Sequence, residues 1–600
     1  MNNHCMKGDG DVTGANKTLL EYKQAASPIP DLNLSWPLYA AGLENIGKAG
    51  APVGLPMPEI RDDQLLVRID AVGLCFSDIK LITQGNSHPR ISGRDLQKEP
   101  VIPGHEATMT VVRVGRELAD QYKVGERYLV QADVFYQGKS MAFGYVLPGA
   151  LQQYTTIGPE ILQGDEGSYL LPLGQEDGYA EVALAEPWAC VVASYRITRR
   201  ETLLPGGIAL FVITNDAQGP YALDGAFSPQ GRPRQVVVSG PEGPSRQRLL
   251  EELGELAVIV DSAQSFEELS QALTAPGGFD DIIFLGTPSP EVVEDAVGVL
   301  AVRGVMAVLA DRAMKRDVLI DIGRIHYDGH IYTGGQTNSV AEAYRQKRTA
   351  DLRHGGNTWI VGAGGPMGQM HTQMAAEDPD GPSVIVVTEN SLPRLEQLEI
   401  RFGPPADQRG ATLAAYSPSR QDPEGLAEKI RDATGGAVFD DIVIMAPSAA
   451  LVEESAGWLG DDGLLNIFAG VPRGTMARLD LSKVYMAGQR WIGSSGSSLA
   501  DLGYTLEKIQ TRALRTESTV AAIAGLNAAK EGLQAVQDGS FPGKIVVWPQ
   551  LPSLPLIPLP ELAKHLPKVA AKLSPEGYWT KEAEDELLFS QLAKDSKGWG

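Results

Sequence analysis

"FDDIIFLGTPSPEVVEDA" at residues 279–296 lies over "FDDIVIMAPSAALVEESA" at residues 439–456, an offset of 439 − 279 = 160. Each is an apolar β-rich run followed by a segment of helical character. Further on, "DIGRIHYDGHIYTGG" (321–335) lies over "DLSKVYMAGQRWIGS" (480–494), with Gly329 against Gly488, an offset of 488 − 329 = 159. Two matches separated by one gap mark a duplicated domain rather than a chance tetrapeptide. Read backward from each copy, strand, loop, helix and strand follow one another, the pattern of a doubly wound α/β unit.

The second copy opens with "GGNTWIVGAGGPMGQMHTQMA" (355–375), a short strand running through a glycine loop into a helix start. Such a loop lets a dinucleotide pyrophosphate approach the backbone, and the helix N-terminus offers free N–H groups. The loop is Gly362, Ala363, Gly364, Gly365, Pro366, Met367 and Gly368. A second strand, "SVIVVTEN", ends at Glu389, 389 − 368 = 21 residues past the last glycine. A carboxylate there accepts hydrogen bonds from ribose hydroxyls and repels a 2′-phosphate, favouring NAD over NADP. Arg394 nearby moderates that preference.

The first copy carries Ile213, Thr214, Asn215 and Asp216 where the second carries Gly362 to Gly365. Its second strand, "RQVVVSGPEG", ends without a carboxylate. The first copy is therefore expected to be degenerate, with one nucleotide per chain. The alternative is a second nucleotide held by Ser239 and Arg246.

Ahead of the duplication, "LLVRIDAVGLCFSDIKLITQG" (65–85) sets Cys75, Ser77, Asp78 and Lys80 in a turn after a strand. "PGHE" adds His105 and Glu106, and "EPWAC" adds Glu186 and Cys190. Thiolate, imidazole and carboxylate are Zn²⁺ ligands, and three of them leave an open, catalytic corner. Singly, each has a blander reading: a small buried thiol, a polar turn, a helix cap.

Taken together, "GLCFSDIK", "PGHE", "EPWAC" and "GAGGPMG" resemble the zinc-dependent medium-chain alcohol and polyol dehydrogenase family. The sorbitol dehydrogenase and sorbose-phosphate reductase branch is nearest, and the resemblance spans roughly residues 35–550. It implies an α/β chain: a GroES-like β-rich catalytic domain plus two tandem doubly wound Rossmann-like domains, the first degenerate. The expected boundaries are a flexible lead at 1–30, the GroES-like domain at 31–203, the degenerate copy at 204–350, the NAD-binding copy at 351–520, and a return with a C-terminal tail at 521–600. The resemblance implies one catalytic zinc on Cys75, His105 and Glu186, with Glu106 as adjacent carboxylate or alternative ligand. Four clustered cysteines for a structural zinc are absent, since the chain holds only Cys5, Cys75 and Cys190. Ser77 would relay the substrate's proton, Asp78 would orient His105, and Lys544 would lie near the cofactor pyrophosphate. Lys80 stands where many members have a relay histidine.

The implied activity is hydride transfer between NAD(H) and a secondary alcohol or ketone of a polyol, sugar or sugar phosphate. In the loop "NSHPRISGR", His88, Arg90 and Arg94 either grip a phosphate or line a solvated surface. The rivals are a zinc-free quinone-type reductase and a non-catalytic scaffold that kept the fold. A net charge of −23 argues against nucleic acid. Neither a ~20-residue apolar run nor a signal-peptide core is seen, so the expectation is a cytoplasmic protein without membrane partners. The degenerate copy is expected to pair its edge "HIYTGG" with "QRWIGSSG". That would make the chain a monomeric pseudo-dimer; otherwise a homodimer is expected.

Overall fold

The computed structural model describes residues 9–260, 264–274 and 277–595. Two compact units form, one from Met1–Val192 with Gly496–Gly600 and one from Ala193–Ser495. Cys5 lies outside the described residues. Among those residues, no helix is long and apolar enough to cross a membrane.

In the discontinuous unit, the central strand Leu65–Gly73 is buried along its whole length and pairs antiparallel with Glu106–Val114. The carboxy-terminal strand Lys544–Trp548 joins its other edge through Val546↔Gly73 and Val547↔Val72. The late sequence thus completes the early sheet. The expected flexible lead is corrected for residues 9–30: Asp9–Lys23 is a helix, and residues 1–8 are not described. Its end is anchored because Tyr22 is buried under the Arg68 guanidinium and donates to Asp70 Oδ1 at 2.8 Å. The C-terminal helix Lys581–Asp595 is anchored too. Glu584 accepts from the backbone N–H groups of Tyr179 and Ala180 at 2.8 and 3.0 Å.

The other unit holds the duplication. Its first half contributes β1 (Ile208–Ile213), β2 (Gln235–Ser239), β3 (Ala257–Ile259), β4 (Phe279–Leu285), β5 (Leu300–Leu309), β6 (Val318–Asp321) and β7 (Ile331–Gly335). The second half contributes β8 (Asn357–Val361), β9 (Val384–Thr388), β10 (Thr412–Tyr416), β11 (Phe439–Ile444), β12 (Leu459–Ile467), β13 (Met476–Leu479) and β14 (Arg490–Ile492). Two parallel six-stranded sheets result, ordered β3-β2-β1-β4-β5-β7 and β10-β9-β8-β11-β12-β14. Each is the 3-2-1-4-5-6 order of a Rossmann sheet. These parallel strands read as continuous apolar runs because both faces are covered.

Both FDDI aspartate pairs are structural. Asp280 and Asp440 accept from the first N–H of the neighbouring central strand, Ile208 N at 2.8 Å and Asn357 N at 2.9 Å. Asp281 accepts from Arg200 Nη1 at 2.5 Å, Leu204 N at 3.0 Å and the Tyr344 hydroxyl at 2.7 Å. Asp441 does the same for Arg348 and for Arg353 N at 2.7 Å. Burial lifts both carboxyls above their ordinary range, while the paired arginine pulls them back. Replacing Asp281 by Ala leaves a guanidinium, an amide and a hydroxyl without their acceptor. The expected loss is about 3–5 kcal/mol of stability, as for other broken buried ion pairs. Thermal and urea unfolding check this, and a change below about 1 kcal/mol would contradict the structural role.

The duplication also closes on itself. β6 and β13 pair antiparallel as Val318↔Leu479, Leu319↔Arg478, Ile320↔Ala477 and Asp321↔Met476. Adding the repeat offset of 159 turns Val318↔Leu479 into Ala477↔Ile320 and returns Leu319↔Arg478 to itself, so a local twofold axis passes through that pair. One apolar core joins Ile325, Val308 and Tyr332 of the first half to Ile467, Val484 and Trp491 of the second. The expected pairing of "HIYTGG" with "QRWIGSSG" is corrected in kind. β7 and β14 meet through the Tyr332 and Trp491 rings, 5.7 Å between centroids, while the hydrogen-bonded ladder across the seam is β6–β13.

Candidate active site

The GroES-like unit concentrates ligand atoms at one place. Strand Leu65–Gly73 runs out at Cys75, which is the N-cap of helix Phe76–Gln84, and Glu106 opens the neighbouring strand. Antiparallel register puts Gly73 opposite Glu106 and so brings the two turns together. One ligand atom each from Cys75, His105 and Glu106 lies within 4.8 Å of the others. A Cβ on Gly73 would meet Glu106 Oε2 at 2.1 Å, so the glycine makes room for the carboxylate. Glu106 Oε2 is buried without a hydrogen-bond partner, an orphan acceptor of the kind a cation would satisfy. The donor set fits Zn²⁺.

Asp78 organises this cluster. Its carboxylate accepts from Cys75 N at 3.0 Å and Gly104 N at 3.1 Å, and Oδ1 lies 3.1 Å from His105 Nδ1. Burial works against a charged His105, but Asp78 overrides it and holds the imidazole well above its usual range. Ser77 and Lys80 lie on the same helix, both part-exposed, with the Lys80 ammonium 6.0 Å from the Phe76 ring centroid.

Glu186 is not in the three-residue group, which holds Glu106 instead. It sits on helix Ala185–Ser194, its carboxyl pushed to about 7 by burial, with His105 lowering it and Glu106 and Asp133 raising it. Lys544 is corrected as well. It is buried, and its ammonium bonds Glu106 Oε1 at 2.5 Å, so that charge is taken up by a carboxylate rather than left for a pyrophosphate. Burial lifts the Cys190 thiol well above its usual range.

The loop reading divides. Arg94 donates to the carbonyls of Glu99, Tyr145 and Val146 and so braces the loop. Arg90 bonds Asp133 Oδ1 at 2.5 Å and lies over the Tyr145 ring, which also faces His88 and His105. Asp133 and Tyr145 went unread in the sequence because each stands in a stretch with no motif.

In the second Rossmann-like sheet, β8 runs through Gly362 and Ala363 to the helix Pro366–Glu377. Gly362 has φ +78, and a Cβ on Gly368 would meet the Ala363 backbone at 2.6–2.7 Å. A Cβ on Gly365 would meet nothing within 4 Å, which leaves open space at the helix entrance. Glu389 Oε2 accepts from Gly364 N at 2.9 Å, and Oε1 from Ser391 N at 2.8 Å, fixing the acid beside the loop. Arg394 stands in the first turn of helix Leu392–Gln408. Met367 lies in the first turn of the loop's own helix.

The first sheet lacks this entrance. After β1 the chain runs irregularly to β2, with no helix between. Asp216 fills the turn, accepting from the Thr214 hydroxyl at 2.6 Å and Thr287 N at 3.0 Å. Arg246, weighed as a second nucleotide's partner, donates to the Gly240 carbonyl at 3.1 Å.

With this geometry in place, relatives can be compared. Residues 61–163 match the alcohol dehydrogenase GroES-like domain. A protein of Escherichia coli strain K12 called uncharacterized protein YggP is 29% identical over 330 residues, covering 50% of this chain and 74% of that one. The L-sorbose 1-phosphate reductase of Klebsiella pneumoniae is 23% identical over 539 residues, 89% of this chain and 93% of the reductase. The mannitol-1-phosphate 5-dehydrogenase of Aliivibrio fischeri is 26% identical over 364 residues, 56% and 84% of the two chains. With its GroES-like domain and two sheets in Rossmann order, this chain is a homologue of the zinc-dependent medium-chain alcohol and polyol dehydrogenases of the sorbitol and sorbose-phosphate reductase type.

Proposed function

We propose that the chain is a zinc-containing, NAD-dependent dehydrogenase that interconverts a secondary alcohol and a ketone on a polyol, sugar or sugar phosphate. The observation that carries this reading is the convergence of Cys75, His105 and Glu106 in front of a buried Asp78. Cys75, His105 and Glu106 would hold the metal, with Glu186 close enough to feel their charge. A Zn²⁺ held there would supply Lewis acidity toward the substrate oxygen. Asp78 fixes the His105 tautomer by accepting from Nδ1, which leaves Nε2 as the ligand atom. Ser77, two residues past Cys75 on the same turn, is the proton relay of this reading.

Glu389, bound to the loop at Gly364, supports NAD over NADP. The substrate class is supported by the two sugar-phosphate relatives and by Lys80, His88 and Arg90. Burial, then the nearby Arg90 and Lys80 cations, lowers His88, which places the three in one basic patch. The self-closed duplication supports a monomer. The test is NAD(H)-linked turnover screened over polyols, ketoses and their phosphates, with zinc measured on the same sample. One zinc per chain and turnover of a polyol or its phosphate is the expected result. Equal turnover by zinc-free protein would instead favour the quinone-reductase reading.

A further inference from the structure

At the seam of the duplication lies a cleft of about 240 Å³ whose walls come from both halves. It is smaller than the roughly 300–1,000 Å³ of drug-sized sites. Five cations line it, Arg199, Arg345, Lys347, Arg348 and Arg490, against one carboxylate, Glu342. Such an excess runs against the net charge of −23 for the whole chain.

The cations are only partly neutralised. Arg348 is paired with Asp441, and Arg490 donates to the carbonyls of Arg348 and Ile197 at 2.8 and 2.6 Å. Arg199 donates to the Arg345 carbonyl at 3.0 Å. The Nε atoms of Arg199 and Arg348 are buried with no acceptor. Arg345 and Lys347 are exposed at the rim, and their side chains have no ion pair among the described residues. Glu342 already accepts the Thr337 hydroxyl at 2.9 Å. Burial pushes Arg490 down to about 10, helped by Arg199 and Arg348, so these guanidinium groups repel one another.

The duplication supplies a second cleft for comparison. A second cleft of about 490 Å³ lies across the same seam and shares Arg199, Tyr332 and Arg490 with the first. Where the first has Gln489 and Arg490, the repeat offset of 159 places His330 and Ile331 in the second. Neither Arg345 nor Lys347 lines it. The second cleft is basic too, through Arg199, Arg200, Arg303 and Arg490, but Arg200 is paired with Asp281, so what distinguishes the first is Arg345 and Lys347 at its rim.

We propose that this cleft binds a phosphate monoester or inorganic phosphate, with the guanidinium groups of Arg199 and Arg348 at its floor and Arg345 and Lys347 closing over it. Guanidinium forks match phosphate oxygens bidentately, and ammonium adds a point charge. Because both halves contribute, occupancy also ties the two sheets together. This site is separate from the glycine loop and does not depend on the dehydrogenase reading.

The test is calorimetric titration and thermal unfolding of the full chain carrying Gly365→Asp, which removes the glycine loop as a phosphate site. Inorganic phosphate and a polyol phosphate are the probes, with chloride at matched ionic strength as control. One saturable site for inorganic phosphate with a rise in Tm is expected. The added double change Arg345→Ser/Lys347→Ser should weaken it about tenfold to hundredfold, about 1.4–2.7 kcal/mol in all at about 1.4 kcal/mol per tenfold. Arg345→Lys/Lys347→Arg should restore it. Both changed side chains are exposed and unpaired, so the fold is retained. Displacement of the polyol phosphate by inorganic phosphate identifies a phosphomonoester site, whereas binding of inorganic phosphate alone identifies the free ion. Undiminished binding of inorganic phosphate in the Ser/Ser protein, or no saturable binding of either probe, would overturn the proposal.

Discussion

Replacing Cys75 by Ala will strip zinc from the chain and lower turnover by about 10³-fold or more, while NAD affinity stays within about twofold. A Lewis acid at a developing alkoxide contributes several kcal/mol of transition-state stabilisation, and each 1.36 kcal/mol is about a factor of ten in rate. The thiolate is the one soft ligand of the cluster, and His105 with Glu106 alone forms an incomplete tetrahedral set. The fold should survive, because the hydrogen bond from Cys75 to Asp78 uses the backbone amide, which alanine keeps. Metal content, turnover and a thermal melt on one preparation decide it. Undiminished turnover without zinc would refute the metal reading.

Gly365→Asp is expected to weaken NAD binding by about 100-fold or more, equivalent to about 2.7 kcal/mol, with little change in stability. A Cβ at Gly365 meets nothing and its φ of −76 suits any residue, so the backbone accepts the change. The added carboxylate then projects where a pyrophosphate would approach the helix N-terminus, and two anions compete for the same N–H groups. Gly368→Ala is the contrast: its Cβ meets the Ala363 backbone at 2.6 Å, so stability should fall along with binding. Fluorescence titration with NADH and thermal melts separate the two effects. Unchanged NADH affinity in the Gly365→Asp protein would move the cofactor off this loop.

Much of this site is legible in local sequence because its chemistry rests on backbone turns. Gly362, Gly364 and Gly368 announce a loop, and Glu389 follows at the distance that one helix and one strand impose. Cys75, Asp78, His105 and Glu106 are legible for the same reason, standing in the turns where one apolar strand ends and the next begins. Lys544 is where such reading fails. Nothing in "PGKIVV" says whether its ammonium meets a phosphate or a carboxylate, and antiparallel pairing of Val546 with Gly73 places it on Glu106. Which of Glu106 and Glu186 groups with Cys75 and His105 is likewise not legible, since sequence counts residues while such a grouping depends on angstroms. Helix Asp9–Lys23 went unread because its sequence is mostly polar; among its residues of described burial, Tyr22 is the buried one.

From sequence alone follow the duplication, the parallel α/β character of both halves, the single intact glycine loop and the ligand types available to a metal. These are determined locally, by side-chain periodicity and backbone sterics. Tertiary structure alone decides which carboxylate joins Cys75 and His105, how β6 and β13 close the duplication about a twofold axis, and where five cations face one cleft. Such groupings arise from strand register and packing between segments far apart in the chain, to which a linear pattern carries no record of distance.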